Sequence, residues 1–585
     1  MSSRSGTQVS ARTWRGAAAG LALGLALSAA ALACGERTSE LAGAAPARSA
    51  MSAPLQILED ADRRASDEAV PETSPVFDGR TLRLRAARGE TLGITVWQRA
   101  PGEVTLQMAA RELKVTGYEV EWAPVTRPST AMYGGSRGAA SYVDGLVPAP
   151  RPTGSPVYFD LAVSADAPPG RHLGTLTASA ATASGTAPAA ATAATSATTS
   201  VAVELEVLDV LLPAVGARPL VWAYYDPREL AWQHGLPAGA QLGGFDPLEL
   251  EKRCAAMFRA HGVLATPELT AELWPRRREL LAGARFVPVL LPTEDGALAE
   301  AARFWEQALA AEDQLAFAIP IDEPRQLDRK MKVRALADQV AAARRATGTS
   351  RLRLAVTDAP HAVYGDAVDI FISPYAISRQ PATGAGAGAL RFTYNGNPPY
   401  AGSMVLDAGN FDLRTWGWIG WRWSVPLWYV WDALYWHDRH NAKRMGLPRP
   451  GRAMSPRDSV TFDDGGDHGN RDGVLALPGP RETPCLPTLR LKALRRGLSD
   501  RLLLDAASCT PATRAVAARL ALRLIPFALG DAASVGLTPP VTASAWYAAR
   551  QQLLDLAAQC TRQETGDGGA RSPSPRPLAA PAGSP

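Results

Sequence analysis

The chain has 585 residues, of which 46% are hydrophobic and 20% charged, with 61 basic against 57 acidic side chains. That is room for two or three domains with cores of their own. A formal charge of +4 spread over this length implies neither a nucleic-acid surface nor a polyanionic partner.

Arg4, Arg12 and Arg15 precede an uncharged Ala/Leu/Gly run at 16–33, which ends in Ala31-Leu32-Ala33-Cys34. Residues 1–33 read as a signal peptide, because the run is shorter and richer in Gly and Ala than a spanning helix of about 20 predominantly apolar residues. The small residue before cysteine resembles a bacterial lipoprotein signal, in which the cysteine is diacylated and becomes the mature N-terminus. An exported chain held at a membrane through Cys34 is therefore expected. Ala31 stands where leucine is more usual, and plain secretion is the alternative. Cys254, Cys485, Cys509 and Cys560 lack CxxC or His spacing, so no metal framework is expected. In an oxidising compartment they are open to disulfide formation, with Cys485 and Cys509 nearest in sequence; otherwise they are small buried apolar residues.

Residues 34–75 are rich in Ala, Ser, Pro and Glu and read as a disordered tether. Over 76–213 the pattern becomes short alternating segments at 82–85, 90–97, 104–109, 157–163, 172–178 and 201–208, separated by Gly and Pro, which predicts a β-sandwich. The Ala/Thr/Ser/Gly run at 180–200 interrupts two good strands and reads as a low-complexity hairpin insertion.

From 216 to 508 strand and helix alternate. Strands are expected at 220–225, 263–267, 285–291, 315–321, 352–357, 368–373, 390–394 and 428–431, with helices at 248–261, 297–311 and 329–347. No Gly-rich phosphate turn follows the first strand, which favours a (β/α)8 barrel over a doubly wound sheet. A helix at 488–504 is expected to close the barrel. The C-terminal part, 509–562, holds helices at 512–529 and 543–559, and 563–585 is a Pro/Ser/Gly-rich tail expected to be disordered.

The fourth expected strand ends in Ile321-Asp322-Glu323-Pro324, which places two carboxylates at the face where such barrels hold their active sites. Adjacent residues of a regular strand point to opposite faces, so both acids serve one site only if the strand ends there, and Pro324 favours that ending. The competing reading is that Asp322 caps the next helix while Glu323 pairs with Arg325. Glycosidic cleavage needs an acid for the departing oxygen and a negative group facing an oxocarbenium-like centre, in ordinary retaining enzymes a second carboxylate about 5–5.5 Å away. The seventh strand offers Tyr394 and Asn395 but no acid. That absence suggests substrate assistance, in which a 2-acetamido group attacks the anomeric carbon, Asp322 orients it and Glu323 is the acid and later the base.

The segment 156–163, Pro-Val-Tyr-Phe-Asp-Leu-Ala-Val, and 167–177, Ala-Pro-Pro-Gly-Arg-His-Leu-Gly-Thr-Leu-Thr, resemble the end of the sandwich that precedes the barrel in glycoside hydrolase family 123 and its relatives. Asp322-Glu323-Pro324 matches their acid pair. Arg414-Thr415-Trp416-Gly417-Trp418, residues 431–436, Asp472-Gly473-Val474-Leu475 and the helix segment from Leu489 to Gly497 follow in the family's order. The resemblance implies a β-N-acetylgalactosaminidase-type exo-hydrolase that retains configuration through an oxazoline, with Asp322 as stabiliser and Glu323 as acid/base. No cofactor is implied. Leu427 and Ser499 depart from the family's usual glycine and acidic residue.

Seven of the fifteen tryptophans lie between Trp416 and Trp436. About half are expected to pack in the core, and Trp428, Trp431 and Trp436 are the candidates for a sugar-binding wall. Tyr225 with Asp226, Tyr375, and Tyr394 with Asn395 follow strands at the same face. The Asp-rich loop with Asp463, Asp464, Asp467, His468 and Asp472 lacks EF-hand spacing and reads as solvated. Two other functions remain open at this point. One is a surface carbohydrate-binding or scaffold protein without turnover; the other is a glycosidase of another linkage, with Asp407 or Asp412 as nucleophile.

Overall fold

The computed structural model describes residues 55–59, 62–180, 198–235, 248–292, 294, 296–310, 313–374, 388–396, 398–436, 461–463, 466–530 and 539–566. The signal segment, Cys34, Tyr375, Asp464, most of the low-complexity run and nearly all of the 563–585 tail lie outside the described residues.

Nine strands come first: β1 (Leu55–Glu59), β2 (Thr81–Arg88), β3 (Thr91–Gln98), β4 (Gly102–Met108), β5 (Leu113–Val125), β6 (Ala140–Pro148), β7 (Val157–Val163), β8 (Gly170–Ala180) and β9 (Thr198–Leu211). They form a five-stranded sheet in the order β1-β3-β7-β5-β6 and a four-stranded sheet in the order β2-β9-β8-β4. Alternation along β9, whose apolar residues are buried while the residues between them face outward, gives each strand one core face. Ile57, Ile94 and Leu161 of the first sheet share one apolar cluster with Leu84, Leu106, Leu176 and Leu205 of the second.

The expected tether is corrected here. Residues 55–59 pair antiparallel with β3, Leu55 opposite Gln98, and Leu55, Ile57 and Leu58 are buried. Folded structure thus begins within 34–75, and β1 belongs to a sheet because it covers an edge of β3 that would otherwise leave backbone groups unpaired.

Eight short strands follow: β10 (Val221–Ala223), β11 (Val263–Ala265), β12 (Phe286–Pro288), β13 (Leu315–Ala318), β14 (Leu352–Val356), β15 (Ile370–Ile372), β16 (Leu390–Tyr394) and β17 (Trp428–Val430). All neighbours are parallel, in the order β11-β10-β17-β16-β15-β14-β13-β12, and each lies within one of the eight expected segments. Nearly every residue in them is buried, as in parallel strands covered on both faces. The sheet curls so that its edge strands β11 and β12 approach. Just beyond them the Leu269 N–H donates to Pro288 O (3.0 Å) and the Leu290 N–H to Leu269 O (2.9 Å).

Helices α1 (Arg228–Gln233), α2 (Leu248–Arg259), α3 (Trp274–Arg277), α4 (Ala297–Ala308), α5 (Leu327–Thr347) and α6 (Thr415–Arg422) lie between these strands. Between β14 and β15 there is only a 3-10 turn at Ala362–Tyr364, so the strand-helix alternation is incomplete. Three helices follow, α7 (Leu489–Ala506), α8 (Pro511–Leu524) and α9 (Ala543–Gly566).

Helix α7 does more than cover the curled sheet. It is buried along almost its whole length and joins that sheet to the N-terminal strands. Arg490 donates to both oxygens of Asp144 on β6 (3.0 and 2.9 Å), and Arg471 donates to the same carboxylate (3.0 Å). Lys492 and Arg495 grip Asp160 on β7, each at 2.5 Å. Arg496 bonds Glu90 (2.9 Å), while Asp500 receives Arg414 (2.8 Å) and Arg550 of α9 (2.7 Å). The crossing with α6 is backbone to backbone: a Cβ on Gly417 would lie 1.7 Å from Gly497 O, and one on Gly497 2.4 Å from Arg414 O.

Two disulfides tie this part of the molecule, Cys254 of α2 to Cys485 and Cys509 to Cys560 of α9, with Cα separations of 5.2 and 5.8 Å. The pair nearest in sequence is not bonded, because bridging follows spatial separation of Cα atoms and not chain distance.

Candidate active site

Strand β13 stops at Ala318, and the chain bends through 319–322 before Glu323, whose φ is +40°. The period-two alternation therefore no longer applies when the chain reaches the acid pair. Positive φ is costly for a residue with a side chain and persists only where surrounding contacts fix it. Here the contact is Thr357, one residue past β14: the Glu323 N–H donates to Thr357 Oγ1 (2.7 Å), and the Thr357 hydroxyl donates to Asp322 Oδ1 (2.6 Å). Pro324 is buried, and α5 starts three residues later.

Glu323 is held on its other side by strand β16. The Tyr394 phenol is 3.0 Å from Glu323 Oε1, and Arg325 donates to Oε2 at 2.8 Å. Arg325 is 56% exposed against 22% for Glu323, so the guanidinium sits at the solvent side of the pair. The alternative reading of the sequence is half met, since Glu323 does pair with Arg325. The N-cap of α5, however, is Gln326 and has no side-chain cap; what Asp322 gives the helix is its carbonyl, which accepts from Arg329 (3.0 Å). Beside Thr357, Asp358 pairs with Lys330 and accepts from the Tyr364 hydroxyl (2.6 Å). Burial, and then that bond to a carboxylate, push the Tyr364 phenol up, so it stays a donor.

The aromatic candidates separate into two groups. Tyr394 is half-buried and stacks on Tyr429 (6.4 Å between centroids), which in turn stacks on Trp222 (4.5 Å). This column, running through β16, β17 and β10, fixes the phenol that reaches Glu323. Asn395, with φ +48°, knits β16 to β17: its N–H donates to Tyr429 O (2.7 Å), its Oδ1 accepts from the Trp431 N–H (3.1 Å), and its carbonyl accepts from the Trp428 indole (2.7 Å). Trp428 lies face to face with Trp416 at 4.3 Å. The Trp431 indole donates to Asp472 (2.9 Å). Burial pushes the Asp472 carboxyl up to about 7, offset only in part by that indole and by Arg490.

Three expectations for ligand contact are corrected. Trp436 is 1% exposed, with its indole spent on Ala476 O. Tyr225 is 1% exposed, and burial, then the neighbouring Glu251 carboxylate, push its phenol well up. Trp428, at 3% exposure, is a packing residue. In all three, core burial outweighs position at a strand end. The two other nucleophile candidates are also committed elsewhere. Asp407 is fully buried and accepts from the Ser129 N–H (2.8 Å), the Ser129 hydroxyl (2.6 Å) and Asn470 (3.3 Å). Asp412 accepts from the Ser403 N–H (2.9 Å), and burial raises its carboxyl to about 6.

Sequence reasoning missed Thr357 and Tyr429. Thr357 closes the fifth expected strand, beside the fourth, and that position was the only signal. Among the described residues no group of three or more His, Cys, Asp or Glu is placed to hold a metal ion. Clefts of about 490 Å3 beside Phe159 and Arg151 and about 520 Å3 beside Asp62 and Tyr547 lie away from the acid pair and contain no such pair.

The chain is similar in structure to a family 123 glycoside hydrolase from Clostridium perfringens, whose structure was used to detail glycolipid glycan hydrolysis. The TM-score is 0.52 at 11% identity, over 88% of this chain and 98% of that one. At such identity the likeness speaks for the fold alone. No protein-family model matches the chain, and no curated protein matches it.

Proposed function

We propose that the protein is an exported glycoside hydrolase that removes a terminal β-linked N-acetylhexosamine, N-acetylgalactosamine being favoured, by substrate-assisted hydrolysis with retention. The observation that carries this reading is the adjacent pair Asp322 and Glu323 just past β13, one carboxylate fixed by a hydroxyl and the other by a phenol and a guanidinium. In the proposed reaction Glu323 gives its proton to the glycosidic oxygen as the C1–O bond breaks. The 2-acetamido oxygen bonds to C1, and Asp322 holds the acetamido N–H and balances the charge of the forming oxazoline. Water then opens the oxazoline at C1 while Glu323 takes its proton, which returns the acid and leaves the configuration unchanged.

The fold likeness to a glycoside hydrolase supports this reading, as does the commitment of Asp407 and Asp412 to other partners. Tyr394, whose phenol meets Glu323, and Asn395 beside it in the chain are assigned to the sugar, with Trp431 one residue past β17. Export, with Cys34 as the lipidated residue, rests on the N-terminal signal and agrees with two disulfides, which persist in oxidising compartments. The test is Glu323→Gln on an aryl 2-acetamido-2-deoxy-β-glycoside: turnover falls about 10²–10⁴-fold, and an unchanged rate overturns the assignment.

A further inference from the structure

The Thr357 hydroxyl has one hydrogen and two partners. A backbone N–H can only donate, so toward Glu323 the hydroxyl is an acceptor, at 2.7 Å. Its single proton is then directed at Asp322 Oδ1, at 2.6 Å, and that oxygen must accept. On the other acid the Tyr394 hydroxyl donates to Glu323 Oε1 across 3.0 Å. Asp322 Oδ1 is thus fixed as an acceptor by the hydroxyl of a neighbouring strand, while Glu323 meets a guanidinium at Oε2 and a phenol at Oε1. We infer that Thr357 is the positioning residue that sorts the pair, keeping Asp322 an acceptor while its bond to the Glu323 backbone holds that residue in its left-handed conformation, side chain toward Tyr394. This rests on the functional reading above and deepens it, because it names the group that holds the geometry of the pair.

Several features make the residue suited to this. Thr357 is 4% exposed, so water does not compete for its hydroxyl. It belongs to a different strand from the pair, and its two bonds lock the bend after β13 to the end of β14. The other charged or titratable groups around Asp322 are Glu323, Arg325 and Arg329 on its own segment and helix, Tyr394 on β16, and the Lys330–Asp358 pair beside Thr357.

The experiment compares wild type, Thr357→Val and Thr357→Ser on an aryl 2-acetamido-2-deoxy-β-glycoside across pH. Valine keeps the shape and removes the hydroxyl. It is expected to lower kcat about 10²-fold, as loss of a preorganised donor does, with KM changed less than about threefold. Losing a bond to the ionised form also moves the acidic limb of kcat/KM to higher pH. Serine is expected to stay within about threefold of wild type with its limb unmoved. Thr357→Val with wild-type kcat and limb overturns the inference, and so does a serine variant as impaired as the valine one. If the valine chain does not fold, Thr357→Ala replaces it and the serine result still decides. An inactive wild type would sink the functional reading instead. The inference would then be judged by NMR titration of the 13C-labelled Asp322 carboxyl, which must move to higher pH in Thr357→Val and is contradicted if it does not.

Discussion

Carboxylates meet cationic side chains both along α7 and at the end of β13, and these two places use them differently. Along α7 the pairs are dry and shared: Asp144 is held by Arg490 and Arg471, Asp160 by Lys492 and Arg495, Asp500 by Arg414 and Arg550. Burial alone would push these acids up, but their cations more than offset it, and all three end below the usual carboxylate range, Asp160 well below. They stay charged and fix orientation between the N-terminal strands and the curled sheet. At the end of β13 the pairing is open, Arg325 being more than half exposed, and the Tyr394 phenol stands beside Glu323. The charge along α7 is buried and doubly paired; the acid proposed to exchange a proton is left at the edge.

That contrast breaks most directly at Asp144. Asp144→Ala leaves Arg490 and Arg471 buried without their shared carboxylate, and a loss of about 3–5 kcal/mol is expected, read by urea denaturation or as failure to accumulate. Glu323→Gln, by comparison, is expected to change stability by less than about 1 kcal/mol while turnover collapses; a melting shift as large as that of Asp144→Ala would erase the distinction. Because the folded-state carboxyls of Asp144, Asp160 and Asp500 are lowered, the stability they contribute is present above the ordinary carboxylate range and is lost as pH falls below about 4.

Asp472 reverses the sign. Its folded carboxyl is raised to about 7 from 3.8, so the folded state holds a proton that the unfolded chain releases, and stability declines between those values as pH rises. Asp472→Asn keeps an acceptor for the Trp431 indole and is expected to be more stable than wild type at pH 8, by about 1–3 kcal/mol, with the difference fading toward pH 4. An unchanged difference across that range would contradict the assignment. The smallest effect is expected from Arg325→Ala, below about 1 kcal/mol in stability because the pair is exposed; thermal melting checks it.

The eight parallel strands were legible because buried strands between helices read as short apolar runs, as at Leu352–Val356. Strands β1, β5 and β6 were not. β6 carries a buried Asp144 in its middle, which breaks the apolar pattern, and its partner Arg490 stands 346 residues away. The disulfides and Thr357 were hidden for the same reason, since each depends on distance in space. The ordered motifs that carried the family resemblance have a clear physical place: Asp160, Arg414, Gly417, Arg490, Lys492, Arg495 and Gly497 all lie in the α7 seam. They speak for how the two parts of the chain join. Only Asp322 and Glu323 among them are candidates for chemistry, and of the tryptophans, alike in sequence, Trp416, Trp418, Trp428, Trp431 and Trp436 are buried while Trp421 and Trp423 are half-buried.

The central claim is that the nucleophile belongs to the substrate. Purified protein should therefore be assayed on matched aryl β-galactosides with and without the 2-acetamido group, with Glu323→Gln alongside. Hydrolysis is expected only of the 2-acetamido compound, and only by wild type. Efficient cleavage of the plain galactoside would contradict substrate assistance, and turnover undiminished in Glu323→Gln would contradict the placement of the acid.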